Sequence, residues 1–252
     1  MSRSDTGPVV VTGGSRGIGA ATVLSLARSG RPVVFSYVSN SDAAEAITDR
    51  VQSAGGTALA VQGDVVNEEA IINLFDVCRK NFGVPTGVFA NAGITGPSSN
   101  MKDIVPADLR HVLDVNVTGT FLTVQAATRL MSTRRGGTGG AMVLMSSRAA
   151  ALGGGNEWIQ YAASKGAVNS MTIGLAKELG GDNIRVNAVA PGLIDTEIHA
   201  TAGLADRLET KANDVPLGRA GRADEVAAAV SWLLSDAASY VSGAILDISA
   251  GR

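Results

Sequence analysis

The stretch Val9-Val10-Val11-Thr12-Gly13-Gly14-Ser15-Arg16-Gly17-Ile18-Gly19 decides how this chain is read. Three valines run into a glycine-rich turn, and an amphipathic stretch, Gly17–Ser29, follows at once. A strand that feeds a helix through such a turn opens a nucleotide-binding α/β unit. The glycines let the backbone reverse tightly, let a pyrophosphate approach the main chain, and let the helix pack on the sheet. The helix N-terminus then offers N–H groups to the anion. Gly13, Ser15, Arg16, Gly17, Ile18 and Gly19 are therefore candidate cofactor contacts. The G-x-x-x-G-x-G spacing is weak alone, and its weight comes from lying between a first strand and a first helix.

Outward from that turn, apolar β-type runs alternate with helical patterns to the end of the chain. The strand candidates are Val9–Thr12, Pro32–Tyr37, Thr57–Gln62, Gly87–Ala90, Ala141–Ser146, Arg185–Ala190 and Ala244–Ile248. Most are continuously apolar, as parallel strands covered on both faces are. Between them lie Gly17–Ser29, Asp42–Ala54, Glu68–Phe82, Ala107–Met131, Ile159–Leu179 and Ala223–Ser235. This alternation predicts a Rossmann-type, doubly wound parallel sheet of about seven strands between two helix layers. No repeat and no Pro- or Ser-rich linker divides residues 1–252, so one dinucleotide-binding and catalytic domain is expected. Arg134–Gly140 and Gly153–Asn156 read as loops. Ile194–Pro216 is the longest stretch without a clear strand. It is expected to hold a short helix and, over about 193–216, to form a substrate lid.

Composition narrows the function. The 252 residues are 45% apolar and 4% aromatic, with a net charge of −2, and no polybasic block argues for nucleic acid or an anionic membrane. No run approaches the ~20 apolar residues of a membrane helix, and the short polar start is no signal peptide, so a cytoplasmic protein is expected. The lone Cys78 cannot close an internal disulfide and reads as a small buried hydrophobe. His111 and His199 lack neighbours at ligand spacing, so no metal site is expected.

The end of the second strand speaks to cofactor type. Folds of this kind that take NAD place a carboxylate there for the ribose 2′-hydroxyl. Here Tyr37 holds the position, followed by Val38, Ser39 and Asn40, with no carboxylate before Asp42. Arg16, inside the glycine turn, carries a planar guanidinium suited to a 2′-phosphate; the alternative is a plain solvent-exposed side chain. NADP(H) is favoured over NAD(H).

Tyr161 and Lys165 stand four apart on a helical pattern and share a face. A phenol near pKa ~10 is a poor proton shuttle at neutral pH, and an adjacent ammonium would pull that value down. The pair reads as a general acid/base. Upstream, Ala141–Ser146 ends in Ser146-Ser147 at the carboxyl edge, where open α/β sheets bind ligands. Adjacent residues on a strand face opposite ways, so one of the two serines can reach the site.

At this point the chain resembles the compact short-chain dehydrogenases/reductases, in particular their ketoacyl-carrier-protein reductase and glucose-dehydrogenase-like branch. Seven motifs carry the resemblance in order: TGGSRGIG (Thr12–Gly19), GDV (Gly63–Val65), ANAG (Ala90–Gly93), DVNVTG (Asp114–Gly119), MSS (Met145–Ser147), YAASK (Tyr161–Lys165) and APG (Ala190–Gly192). The resemblance implies a catalytic tetrad of Asn116, Ser147, Tyr161 and Lys165. Tyr161 would exchange the substrate proton and Ser147 would hold the substrate oxygen. Lys165 would bind the nicotinamide ribose and lower the Tyr161 pKa, and Asn116 would keep a water in the relay. It further implies Asp64 on the adenine amino group with Val65 beside it, and Asn91 and Gly93 along the adenosine ribose. Pro191, Gly192, Ile194 and Thr196 would meet the nicotinamide end. Read without the family, Asn91 and Asn116 serve equally well as polar groups satisfying nearby backbone.

Three departures stand out. Ala90 replaces a frequent Asn, and the C-terminal Ser249-Ala250-Gly251-Arg252 lacks a double glycine. Ser147 and Tyr161 are also fourteen residues apart, one more than the nearest branch has, with the surplus residue expected in Gly153-Gly154-Gly155. Trp158 either shapes the substrate pocket or packs internally or between subunits. The implied protein is an oxidoreductase moving hydride between a nicotinamide and a carbonyl or alcohol, and the resemblance implies a homotetramer. A non-catalytic nucleotide-binding sensor on the same fold is the alternative.

Overall fold

The computed structural model describes residues 6–197 and 207–252. The strands of its central sheet are β1 (Val9–Val11), β2 (Val33–Tyr37), β3 (Ala58–Gln62), β4 (Gly87–Ala90), β5 (Gly140–Met145), β6 (Ile184–Pro191) and β9 (Ile245–Ile248). They lie in the order β3-β2-β1-β4-β5-β6-β9, every neighbouring pair parallel. Valines fill β1 because it lies inside the sheet, flanked by β2 and β4 and covered on both faces, and all three are 0% exposed. Alternation then divides them. Val9 and Val11 face helices α1 (Gly17–Arg28), α2 (Ser41–Ser53) and α9 (Ala223–Leu233). Val10 faces α3 (Glu68–Phe82), α5 (Gly119–Met131) and α7 (Ile159–Leu179). Two apolar clusters, one per face, make the three-layer doubly wound sheet that the alternating pattern predicts.

The chain steps outward from β1 to β2 and β3, then returns to lay β4 on the other side of β1. Between β1 and β4 the strand order reverses, and the crevice outside the carboxyl ends of those two strands is where such sheets bind ligands.

Three local features differ from the expected pattern. The single helix expected over Ala107–Met131 is α4 (Pro106–Leu113) and α5 joined by a wide turn, Asp114–Thr118, whose closing bond runs from Gly119 N–H to Asp114 C=O. Val115 and Asn116, side by side in that turn, are both buried. A short helix, α6 (Ala149–Leu152), precedes Gly153, and beyond it Gly154 C=O accepts from both Glu157 N–H and Trp158 N–H. In the stretch expected to lack a strand, β7 (Ile194–Asp195) pairs with β8 (Gly221–Arg222), which lies just beyond 216, while the expected short helix is α8 (Arg207–Lys211). The middle of that segment, 198–206, and with it His199, lies outside the described residues.

Candidate functional site

The site is built from the carboxyl ends of β1, β4, β5 and β6. At β1, Gly13 and Gly17 adopt φ of +65° and +54°, where a side chain would be strained. A Cβ on Gly19 would collide with the Gly13 carbonyl and stand 2.7 Å from Asn91 Nδ2. One on Gly14 would press to 2.5 Å on Phe35. Gly13 N–H donates to Ser36 Oγ at 3.1 Å and Gly14 N–H to Ser36 C=O at 2.9 Å, so β2 holds the turn in place. The leading N–H groups of α1, on Gly17, Ile18 and Gly19, have no carbonyl of their own helix to bond. This turn fits a dinucleotide pyrophosphate.

Across the crevice, Thr12 Oγ1 accepts from Asn91 N–H (3.0 Å) and Ala92 N–H (3.1 Å). Asn91 Nδ2 returns two bonds, to Thr12 C=O (2.9 Å) and Gly13 C=O (3.0 Å). The Nδ2 group of Asn91 thus staples β4 to the glycine turn. Asn116 is likewise committed: Oδ1 accepts from Ile94 N–H (2.8 Å), and Nδ2 donates to Ile94 C=O (2.8 Å) and Ser164 Oγ (2.9 Å). Gly93 lies between Asn116 and Lys165, since a Cβ there would come 3.1 Å from Asn116 Oδ1 and 3.2 Å from Lys165 Nζ. Val65 meets the same region, at 2.6 Å from a Cβ placed on Gly119.

On the β5 side, Ser146 and Ser147 part ways as adjacent residues must. Ser146 is buried and turned to α7, its hydroxyl on Asn169 Oδ1. Ser147 accepts from Ala149 N–H at 3.1 Å and hydrogen-bonds to the Tyr161 phenol. Lys165 Nζ stands 5.6 Å from the Tyr161 ring centroid and donates to Met145 C=O at 2.7 Å. Ser147, Tyr161 and Lys165 are therefore brought together, with Gly93 and Asn116 behind Lys165.

The electrostatics differ from the simple expectation. Burial raises the Tyr161 pKa above its ordinary value, and the Ser147 hydrogen bond offsets part of that rise. Burial also drags Lys165 down to about 7. An ammonium that itself sheds its proton near neutrality is a poor charge with which to acidify a phenol, so in the nucleotide-free site Ser147 is the group that lowers Tyr161.

The other candidate contacts rim the crevice. Tyr37 is half-buried at the end of β2, and Ser39 and Asn40 beyond it are exposed. Asn40 caps α2, its Oδ1 accepting from Ala43 N–H at 2.9 Å. Asp64 is half-buried and its Oδ1 accepts from Val66 N–H at 3.2 Å. Ile18 is half-buried against the core. Ser15 is half-buried and Arg16 exposed, the latter 3.9 Å from Glu197. Pro191 C=O accepts from Arg148 N–H and Gly192 N–H donates to Ile248 C=O, which fixes the approach to Ile194. Thr196 brings its methyl within 3.5 Å of a Cβ placed on Gly17, so it lies beside the glycine turn. Trp158 is 5% exposed and packs internally at the start of α7. His111 is exposed, and no cluster able to hold a metal occurs among the described residues. Nor is any described helix long and apolar enough to cross a membrane.

Sequence reasoning passed over Thr12, Ser36, Ser164 and Asn169, which position the others. A threonine closing a buried strand just before a glycine turn was the one signal available for Thr12; the rest depend on contacts between segments far apart in sequence.

The chain is also similar to known proteins along nearly its whole length. A family model described as enoyl-(acyl carrier protein) reductase matches residues 13–252. The chain is 41% identical over 243 residues to the uncharacterized oxidoreductase YgfF of Escherichia coli, covering 96% of this chain and 98% of that protein. It is 40% identical to the cis-4-hydroxycyclohexanecarboxylate dehydrogenase of Sinomonas cyclohexanicum, over 96% and 94% of the two chains. The crystal structure of a short-chain type dehydrogenase/reductase from Mycobacterium marinum superimposes with a TM-score of 0.91 at 33% identity, over 97% and 94% of the chains. An enzyme is thereby favoured over a mere nucleotide sensor: the chain belongs to the short-chain dehydrogenase/reductase family and is an NAD(P)-dependent oxidoreductase acting on alcohol and carbonyl groups.

Proposed function

We propose that this enzyme prefers NADP(H) and works as a reductase of ketones or aldehydes, with Ser147, Tyr161 and Lys165 at the reacting centre. The observation that carries the cofactor preference is the pairing of a β2 end without a carboxylate, Tyr37-Val38-Ser39-Asn40, with the exposed Arg16 guanidinium in the glycine turn. A 2′-phosphate suits that arrangement, because a guanidinium binds it bidentately and no carboxylate repels it.

A bound nicotinamide supplies the hydride to the carbonyl carbon. Ser147 holds the carbonyl oxygen and Tyr161 delivers the proton to it, both from positions already hydrogen-bonded to each other. Keeping the phenol protonated at neutral pH favours the reductive direction, where a proton is given rather than taken. Lys165 orients the nicotinamide ribose from its place on Met145 C=O. Asn116 supports the relay through main chain, since its side chain is committed to Ile94 and Ser164. The segment 193–216 serves as the substrate lid. The working form is a homotetramer, a reading supported by the exposed apolar side chains of Phe121, Ile173, Trp232 and Tyr240, and light scattering that returned a monomer would overturn it.

Calorimetric titration of the purified protein with NADPH and NADH in parallel tests the cofactor reading. Tighter NADPH binding is expected; equal or tighter NADH binding refutes the role given to Arg16.

A further inference from the structure

Tyr161, Lys165 and Asn169 recur every four residues, so one stripe of α7 carries all three. The reaction gives work to the first two and none to the third. Asn169 Oδ1 accepts from the hydroxyl of Ser146, which is 1% exposed. The same hydroxyl lies 3.4 Å from Lys165 C=O. One residue earlier, Met145 C=O accepts from Lys165 Nζ. The carboxyl end of β5 is therefore tied to α7 by two side-chain bonds, one helical turn apart, and Ser147 is the next residue along. The hydroxyl of Ser147 must meet a phenol carried by that same helix.

We propose that Asn169 is a positioning residue: by holding Ser146 it sets where the end of β5 stands against α7, and so where the Ser147 hydroxyl stands against Tyr161. Asn169 touches no reacting atom and acts only through Ser146. The other side-chain bond that ties the strand proper to the helix comes from Lys165, whose ammonium has its own task. Without the carboxamide oxygen, the Ser146 hydroxyl is left with only the longer contact to Lys165 C=O, and a shift of the strand end is what would shorten it. A displacement of about 1 Å at reacting groups can cost on the order of 100-fold in rate. The proposal rests on the reading of Ser147 and Tyr161 as the proton-handling pair.

The chain has three tyrosines, Tyr37, Tyr161 and Tyr240, so carbon-13 labelling of the tyrosine ring resolves the Tyr161 titration by NMR, with Tyr161→Phe giving the assignment. In Asn169→Leu the Tyr161 titration is expected to move up by about one pH unit, the worth of one weakened hydrogen bond. Turnover of a cyclic ketone with NADPH should fall by about 10- to 100-fold in kcat, with NADPH affinity unchanged. Asn169→Asp keeps an acceptor oxygen and should recover most of both. Ser146→Ala should mimic Asn169→Leu, and the double variant should be no worse than either single one. An unmoved Tyr161 titration in Asn169→Leu overturns the proposal, whatever the rate does, as does an Asn169→Asp variant equally impaired. Full activity in Tyr161→Phe would sink the proton-transfer reading itself. An inactive Tyr161→Phe beside a normal Asn169→Leu sinks the positioning role alone.

Discussion

Replacing Lys165 by methionine should make the nucleotide-free protein more stable near neutral pH and less stable in alkali. Lys165 is 2% exposed, and burial brings its pKa from 10.5 to about 7. In the unfolded chain the ammonium persists to about pH 10.4, whereas the fold releases the proton near 7. Between those limits the unfolded state binds more protons, so stability rises with pH. The folded pKa is depressed for a cationic group, which means the penalty is complete below pH 7 and fades as pH climbs toward 10.5. Each tenfold loss of proton affinity is worth about 1.4 kcal/mol, so the full penalty is about 5 kcal/mol, of which about 3 kcal/mol is relieved between pH 7 and 9.5. Lys165→Met removes that penalty and leaves Met145 C=O without its donor, a pH-independent cost of about 1–3 kcal/mol. The variant should therefore lead by about 2–4 kcal/mol at pH 6 and lose most of that lead by pH 9.5, a relative change in Tm of about 6–12 °C. Thermal unfolding of both proteins across pH 6–9.5 measures it. Parallel curves would refute the reasoning, because they would mean that Lys165 titrates alike in the folded and unfolded chain.

Other expectations are simpler. Gly19→Ala places a methyl against the Gly13 carbonyl and Asn91; stability should drop by about 1–3 kcal/mol and calorimetry should show nucleotide binding lost. Ser147→Ala removes the hydrogen bond that lowers the Tyr161 pKa, so the pH at which alcohol oxidation reaches its plateau should move up; an unmoved profile would count against Ser147. Arg16→Ala should weaken NADPH binding about tenfold or more, the worth of one charge-assisted contact, while leaving NADH binding within about twofold. Because its pairing with Glu197 is exposed on both sides, the same variant should hold its stability within about 1 kcal/mol by chemical denaturation.

The alternation of apolar runs and amphipathic stretches carried the order of strands and helices, since a strand buried on both faces has no choice but to be apolar. The glycine turn was legible for a similar reason: Gly13 and Gly17 meet conformational demands, and Gly19 a steric one, that glycine alone answers. The wide turn at Asp114–Thr118 was not. A bulge of one residue leaves the apolar period of the flanking helices nearly intact, and what draws Asn116 inward is Ile94, a residue far away in sequence. The choice between Ser146 and Ser147 likewise awaited α7. Spacing placed Tyr161 beside Lys165 but said nothing about burial, and burial reverses the direction in which the phenol was expected to move. Asn40 and Asn91, read as cofactor contacts, turn out to carry side-chain bonds to backbone, which any asparagine near a helix start or a strand end is free to make.

The wide turn has a consequence for how this chain tolerates insertions and deletions. One residue advances a helix by about 100°, and a turn closed from Gly119 N–H to Asp114 C=O takes up one residue more than an ordinary helical turn. Deleting a residue inside Asp114–Thr118 would let the same two groups close an ordinary turn, so α5 would keep its facing and only the turn's own side chains, Val115 and Asn116 among them, would be re-aimed. A deletion just inside α5 has no such surplus to draw on: every residue beyond it would turn by that angle, and the exposed Gln125 would be driven into the place of the buried Val124. Length can therefore change within the wide turn at the expense of the relay's geometry alone, whereas a residue lost a few positions later would cost the core.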